Sequence, residues 1–131
     1  MIKLTNLTKN YGSFTAVKSI NLEVQAGEVF GFLGPNGAGK TTTIKMMAGL
    51  LQPTGGSVEI GGFDVQKEPL KAKAITGFIP DRPYLYEKLT ALEFMRFVAE
   101  LYTMRDADNR IRELLELFGL TDWAGELVEN F

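Results

Sequence analysis

The sequence predicts an α/β fold in which a buried strand, a glycine loop and a helix follow one another behind a pair of antiparallel strands. Three observations carry this. The apolar run "VFGFL" (29–33) leads directly into "GPNGAGKT" (34–41), and Ile44, Met47, Ala48 and Leu51 follow at helical spacing before Pro53. A short, nearly continuous apolar run is the pattern of a strand buried on both faces. Ahead of it, "MIKLTNLTKNYG" and "FTAVKSINLEVQAG" alternate apolar and polar residues around Gly12-Ser13, as half-buried antiparallel strands do.

Beyond the first helix, "SVEIGGFDV" reads as a hairpin turning at Gly61-Gly62, and "AITGFIP" (74–80) as another core strand ended by proline. From Thr90 the period changes from 2 to 3.6. Thr90-Ala-Leu-Glu93 has capping-box spacing, and Phe94, Val98, Leu101 and Tyr102 share one face of the helix it opens. A second helix takes Asp106 as N-cap, Ile111, Leu114, Leu115 and Phe118 as its apolar stripe, and Gly119 as its terminator.

Composition narrows the function. The chain has 131 residues, 14 basic and 16 acidic side chains and a net charge of −2, which is no footprint for neutralising a nucleic-acid backbone. Residues 1–60 carry +2 and residues 61–131 carry −4, which suggests two subdomains. There is no cysteine and no histidine, so thiolate chemistry and the commonest general base are both absent. No 18-residue apolar run or signal-peptide core is visible.

The loop carries the chemistry. Gly34, Gly39, Lys40 and Thr41 meet the pattern Gly-x4-Gly-Lys-Ser/Thr, which chance places in well under ~1% of chains this long. Glycine admits positive φ and lets backbone N–H groups reach phosphate oxygens that a Cβ would fend off. The helix N-terminus adds unsatisfied donors. A lysine at Lys40 reaches the β- and γ-phosphates, and the Thr41 hydroxyl can ligate Mg²⁺. The loop is thus a phosphate cradle.

The stretch "LGPNGAGKTTTIKMMAGLLQPTGGSVEIGGFDV" resembles the nucleotide-binding subunits of ATP-binding-cassette (ABC) transporters, and the likeness runs from residue 2 to the end of the chain. The resemblance implies an ABC-type P-loop ATPase fold with an antiparallel β subdomain, an incomplete parallel core sheet and the start of a helical subdomain. It divides the chain into 1–81, the β subdomain with the P-loop core, and 82–131, the Q-loop region and first helices. It implies that Tyr11 stacks on adenine and that Gly34, Asn36, Gly37, Ala38, Gly39, Lys40, Thr41 and Thr42 contact the nucleotide. Most family members have glutamine where this chain has Asp81, so Thr41 and Asp81 are the expected Mg²⁺ ligands. A carboxylate suits a hard cation but is one methylene shorter and donates no hydrogen bond when ionised.

Further implications concern partners. Residues 82–104 resemble the segment that meets a membrane-spanning subunit, with Tyr84, Leu85, Tyr86, Phe94 and Phe97 as apolar contacts. The cofactors implied are ATP and Mg²⁺, the assembly a dimer with a second ATP-binding subunit, and the location the cytoplasmic face of a membrane. Neither the family's "LSGGQ"-like signature, nor its strand ending in Asp-Glu, nor its switch histidine occurs here. The chain therefore reads as the N-terminal part of a longer cassette, hydrolytic when whole and inactive in hydrolysis as this piece. The competing readings are a soluble ABC-class ATPase and a non-catalytic nucleotide-binding module.

Overall fold

The computed structural model describes residues 1–131 and divides them into two compact units, Met1–Phe78 and Ile79–Phe131. In the first, β1 (Ile2–Tyr11) and β2 (Phe14–Val24) form the expected hairpin. They are followed by α1 (Lys40–Met47), β3 (Gly55–Ile60), β4 (Phe63–Asp64) and α2 (Pro69–Ala74). The sheet order is β2-β1-β3-β4, and every pairing is antiparallel. β3 and β4 turn at Gly61-Gly62 as the sequence predicts.

Alternation along the strands builds the core. Leu4, Leu7, Val17, Val58 and Ile60 from the sheet meet Met46 of α1, Val65 just after β4, and Ala72 of α2 in one buried cluster. Met47, Leu51 and Phe63 pack on its margin. The β1–β2 register shifts between Leu4 and Leu7 and again on either side of Lys9, and Asn6 and Ser19 both take positive φ there. Side chains of neighbouring residues satisfy their backbones: Asn6 N–H donates to Asn21 Oδ1 (2.8 Å) and Ser19 N–H to Thr8 Oγ1 (3.1 Å). The segment after α1 is tied to β1 by Thr54 N–H on the Thr8 carbonyl (2.8 Å), Asn10 N–H on Thr54 Oγ1 (2.9 Å) and Lys9 Nζ on the Gln52 carbonyl (2.7 Å).

Two expected strands do not form. Residues 28–34 are irregular, and Val29 and Leu33 are 99% and 91% exposed rather than buried. Residues 75–80 are irregular as well, with Ile79 exposed. A parallel-type strand exists only when neighbours accept and donate its ladder bonds, and no strand of this chain pairs with either run. The first helix also ends early, at Met47 instead of before Pro53. Gly49 takes a left-handed conformation and donates to Met46 O at 3.1 Å, which closes the helix. Its buried face is Thr43 and Met46, so the stripe sits one residue away from the Ile44-Met47 row. α2 was not foreseen; Pro69 opens it at the one helical turn where proline is at home.

The second unit holds α3 (Ala91–Leu101) and α4 (Ala107–Leu117), then two short 3₁₀ turns, Thr121–Trp123 and Val128–Asn130. Ala99, Ile111 and Leu115 are its buried side chains. The capping box forms: Glu93 N–H donates to Thr90 Oγ1 (3.2 Å) and Thr90 N–H to Glu93 Oε2 (2.8 Å). The chain end returns over this helix start, with Ala91 N–H on the Glu126 carbonyl and Val128 N–H on that of Leu89. Arg96 and Asp108 pair across α3 and α4 at 2.9 Å. Leu101, Tyr102 and Phe118, expected on the apolar faces, are exposed. Ala99 is the buried residue of α3, so the buried face of that helix turns away from Leu101 and Tyr102. Asp106 stands at the N-cap of α4 but with φ +56, and its Oδ1 accepts from Asn109 Nδ2 (2.6 Å), not from a helix N–H. Gly119 closes α4 as expected, with Leu120 N–H on the Leu115 carbonyl at 2.7 Å.

Two hydrogen bonds from Thr90, one from the backbone and one from the hydroxyl, hold the Glu93 carboxyl below its usual pKa of 4.5. A depressed folded-state pKa contributes stability that is complete above the unfolded value and is lost as pH falls through the folded one. Acid titration of this chain, followed by α-helical circular dichroism, is expected to show loss beginning below about pH 4.5. Glu93→Gln removes that portion of the pH dependence, and Thr90→Ala costs about 1 kcal/mol in denaturant titration at neutral pH.

Candidate functional site

The glycine loop occupies residues 34–39 and ends as the N-cap of α1. No side chain caps this helix. Its first internal hydrogen bond runs from Thr43 N–H to the Gly39 carbonyl (2.8 Å), so the N–H groups of Gly39, Lys40, Thr41 and Thr42 have no intrahelical acceptor. The three threonines divide their work. Thr43 is buried and returns its hydroxyl to the Gly39 carbonyl at 2.9 Å, whereas Thr41 and Thr42 line an open cavity.

That cavity, about 340 Å³, lies within the first unit. The loop and α1 give it Asn36, Gly37, Gly39, Lys40, Thr41 and Thr42; the β1–β2 hairpin gives it Tyr11, Phe14 and Ala16. Six sequence-predicted loop residues and Tyr11 therefore come together. Gly34 and Ala38 belong to the same loop without lining the cavity, and a Cβ on Gly34 would meet the Ala38 Cβ at 3.6 Å. Lys40 Nζ is turned into its own loop, donating to the carbonyls of Gly34 and of Pro35 (2.6 Å). Lys9 Nζ lies 5.3 Å from the centre of the Tyr11 ring. Asp81 belongs to the second unit, where it lies on an exposed bend. Phe14 and Ala16 are the lining residues that sequence reasoning passed over, and Phe14 is the aromatic one. Its signal was its place across a two-residue turn from Tyr11.

An uncapped helix N-terminus with a lysine one residue in, and a loop carrying positive φ at Gly37 and Gly39, make an anion site of the mononucleotide-binding type. The fold and the site together define a nucleotide-binding cassette of the P-loop class. The chain belongs to the ABC transporter family, whose family model matches residues 17–131. It is 43% identical over 133 residues to the linearmycin resistance ATP-binding protein of Bacillus subtilis, covering 100% of this chain and 43% of that protein. It is 42% identical over 131 residues to the bacitracin transport ATP-binding protein of Bacillus licheniformis, again over 100% of this chain and 42% of the relative. The chain thus spans less than half the length of these relatives.

Solved structures agree on the architecture. An ATP-binding subunit of an ABC transporter superposes with a TM-score of 0.91 at 31% identity, over 99% of this chain and 55% of that one. A dimeric ATP-binding cassette in a post-hydrolysis state, bound to ADP and Pi, superposes with a TM-score of 0.83 at 28% identity, over 100% and 63%. The α/β cassette fold predicted from the sequence is therefore the fold of the chain, with an antiparallel sheet and a few helices.

Two loop glycines differ in what surrounds them. A Cβ on Gly39 would lie 2.4 Å from the Ala16 carbonyl oxygen and 3.1 Å from Val17 Cγ2, whereas one on Gly37 meets nothing within 4 Å. Both have φ above +80°. Gly37→Ala is expected to cost about 1–2 kcal/mol from conformation alone, and Gly39→Ala clearly more, because β2 or the helix start must move. Urea denaturation of the two variants checks this; equal midpoints would show that the loop is not seated against β2.

Proposed function

We propose that this chain binds Mg-ATP through residues 34–42, and that the whole protein is the ATPase subunit of an ABC transporter, hydrolysing ATP to drive transport across a membrane. The observation that carries it is the gathering of four unpartnered helix N–H groups, Lys40 and an exposed tyrosine around one cavity. The triphosphate lies along the loop, taking backbone N–H groups from Gly37, Ala38, Gly39, Lys40, Thr41 and Thr42, with Gly34 and Asn36 shaping the turn. Lys40 exchanges its two carbonyl partners for β- and γ-phosphate oxygens. Charge-assisted bonds of this kind are roughly twice as strong as the neutral ones they replace. Tyr11 takes the adenine face.

Mg²⁺ fits the donor set. The Thr41 hydroxyl, in the first helical turn and lining the cavity, is a hard oxygen that would hold such an ion. Asp81 is the second ligand in this reading, directly or through a water. Bound there, the ion neutralises charge developing on the phosphates. Hydrolysis requires groups beyond these, so residues 1–131 bind and position nucleotide without turning it over.

Residues 82–104 are the proposed contact with a membrane-spanning subunit, and Tyr84 and Tyr86 are exposed in the loop that opens this segment. Exposed aromatic residues of this kind mark interaction surfaces. The protein works as a dimer with a second ATP-binding subunit, on the cytoplasmic face of the membrane, with no nucleic-acid partner. No helix is long and apolar enough to cross a membrane.

Calorimetric titration with Mg-ATP tests the binding claim. The chain is expected to give a saturable isotherm, and Lys40→Ala to weaken it at least about tenfold, the loss of a charge-assisted contact. Equal affinity in both proteins would place the nucleotide elsewhere and overturn the reading.

A further inference from the structure

We propose that Phe14 is a second base-contacting residue, which with Tyr11 forms an aromatic corner that holds a nucleobase by its ring surface and not by its edge. The inference rests on reading the cavity as a nucleotide site and adds to it the residue that completes the base end. Tyr11 and Phe14 are the last pair of the β1–β2 hairpin, directly opposite one another across Gly12-Ser13. Directly opposed residues of an antiparallel pair project from the same face with Cβ atoms about 5 Å apart. Both line the cavity that also holds the loop and the start of α1.

Exposure points the same way. Phe14 leaves 63% of its surface in water and Tyr11 leaves 50%, and neither belongs to the core cluster. A lone exposed apolar residue needs no explanation. Two adjacent aromatic residues, uncovered at one end of a cavity whose other end is an anion site, form a platform of the kind on which bases stack. The turn itself does not require phenylalanine, since a polar residue would end the hairpin as well.

The lining also says how the base is held. The polar side chains Asn36, Lys40, Thr41 and Thr42 all come from the loop and α1, while the hairpin contributes Tyr11, Phe14 and Ala16. Apart from the Tyr11 hydroxyl, none of the hairpin side chains that line the cavity offers a donor or acceptor to a Watson–Crick edge. Stacking is tolerant of sequence because every base has a π-face. Adenine and guanine nucleotides are therefore held alike by this chain.

The test compares Mg-ATP, Mg-GTP and inorganic tripolyphosphate as ligands of the unaltered chain, Phe14→Ala, Phe14→Leu and Lys40→Ala. ATP and GTP are expected to bind the unaltered chain within about threefold of each other. Phe14→Ala weakens both nucleotides by about tenfold, the loss of one aromatic contact. It leaves tripolyphosphate affinity and the thermal midpoint unchanged, and Phe14→Leu falls between. Lys40→Ala weakens all three ligands. Nucleotide affinity unaffected by Phe14→Ala, an equal loss for tripolyphosphate, or a tenfold preference for one base in the unaltered chain overturns the aromatic corner while leaving the cradle intact. If Lys40→Ala leaves tripolyphosphate binding unchanged, or if the unaltered chain binds none of the three, the cradle fails, and the corner fails with it.

Discussion

Everything at the phosphate end depends on how closely the start of α1 approaches β2. The backbone at Gly39 lies against the Ala16 carbonyl, leaving no room for a side chain. That approach is enforced from below. Thr43 and Met46, about one and two turns along the helix, are buried, Met46 in the cluster with Leu4, Leu7, Val17 and Val58. Burying a side chain the size of Met46 contributes roughly 1.5–3 kcal/mol. Because a helix is stiff over eight residues, fixing Met46 on the sheet fixes the cap, and fixing the cap aims its free N–H groups. The hairpin that carries Tyr11 and Phe14 belongs to the same sheet, so the base end and the phosphate end of the cavity are held in register by one core.

The apolar runs at 29–33 and 75–79 show what a hydrophobic pattern does and does not specify. Both have the composition of strands buried on two faces, and both lie exposed. Burial of a side chain needs only apolar neighbours, whereas a strand also needs neighbours whose backbone groups match its own at regular spacing. β1 has two such partners, β2 and β3, and is the most thoroughly paired strand. Residues 28–34 have none in this chain. Composition announces the preference, and pairing decides the outcome.

The same distinction explains what was legible in the sequence. The hairpins were readable because alternation and turn residues lie next to each other in the chain, as at Gly12-Ser13 and Gly61-Gly62. The Thr90–Glu93 capping box was readable for a similar reason, since all its partners sit within one helical turn. The loop's shape was readable because its glycines set the backbone locally, with positive φ at Gly37 and Gly39. The faces of the helices were less so. Leu101, Tyr102 and Phe118 fit an amphipathic stripe by spacing, yet Ala99 of α3 and Ile111 and Leu115 of α4 are the residues buried. Phe14 was missed because its partner is reached across a strand pair and not along a helix, so no single-chain periodicity marks it.

Lys40 is tied into its own loop. With its ammonium held by the carbonyls of Gly34 and Pro35, the loop is folded around its own cation, and Gly37 and Gly39 take the positive φ its turns require. An incoming phosphate therefore meets a formed loop and does not have to order a disordered one, which removes part of the conformational cost of binding. The offsetting cost is the release of two hydrogen bonds from lysine to carbonyl. Those carbonyls are exposed and can turn to water, so the exchange favours the charged partner. The gain then depends on how many N–H groups converge on the same oxygen atoms. Four of them precede the first internal bond of α1, and the packing of Met46 decides whether they stay aligned.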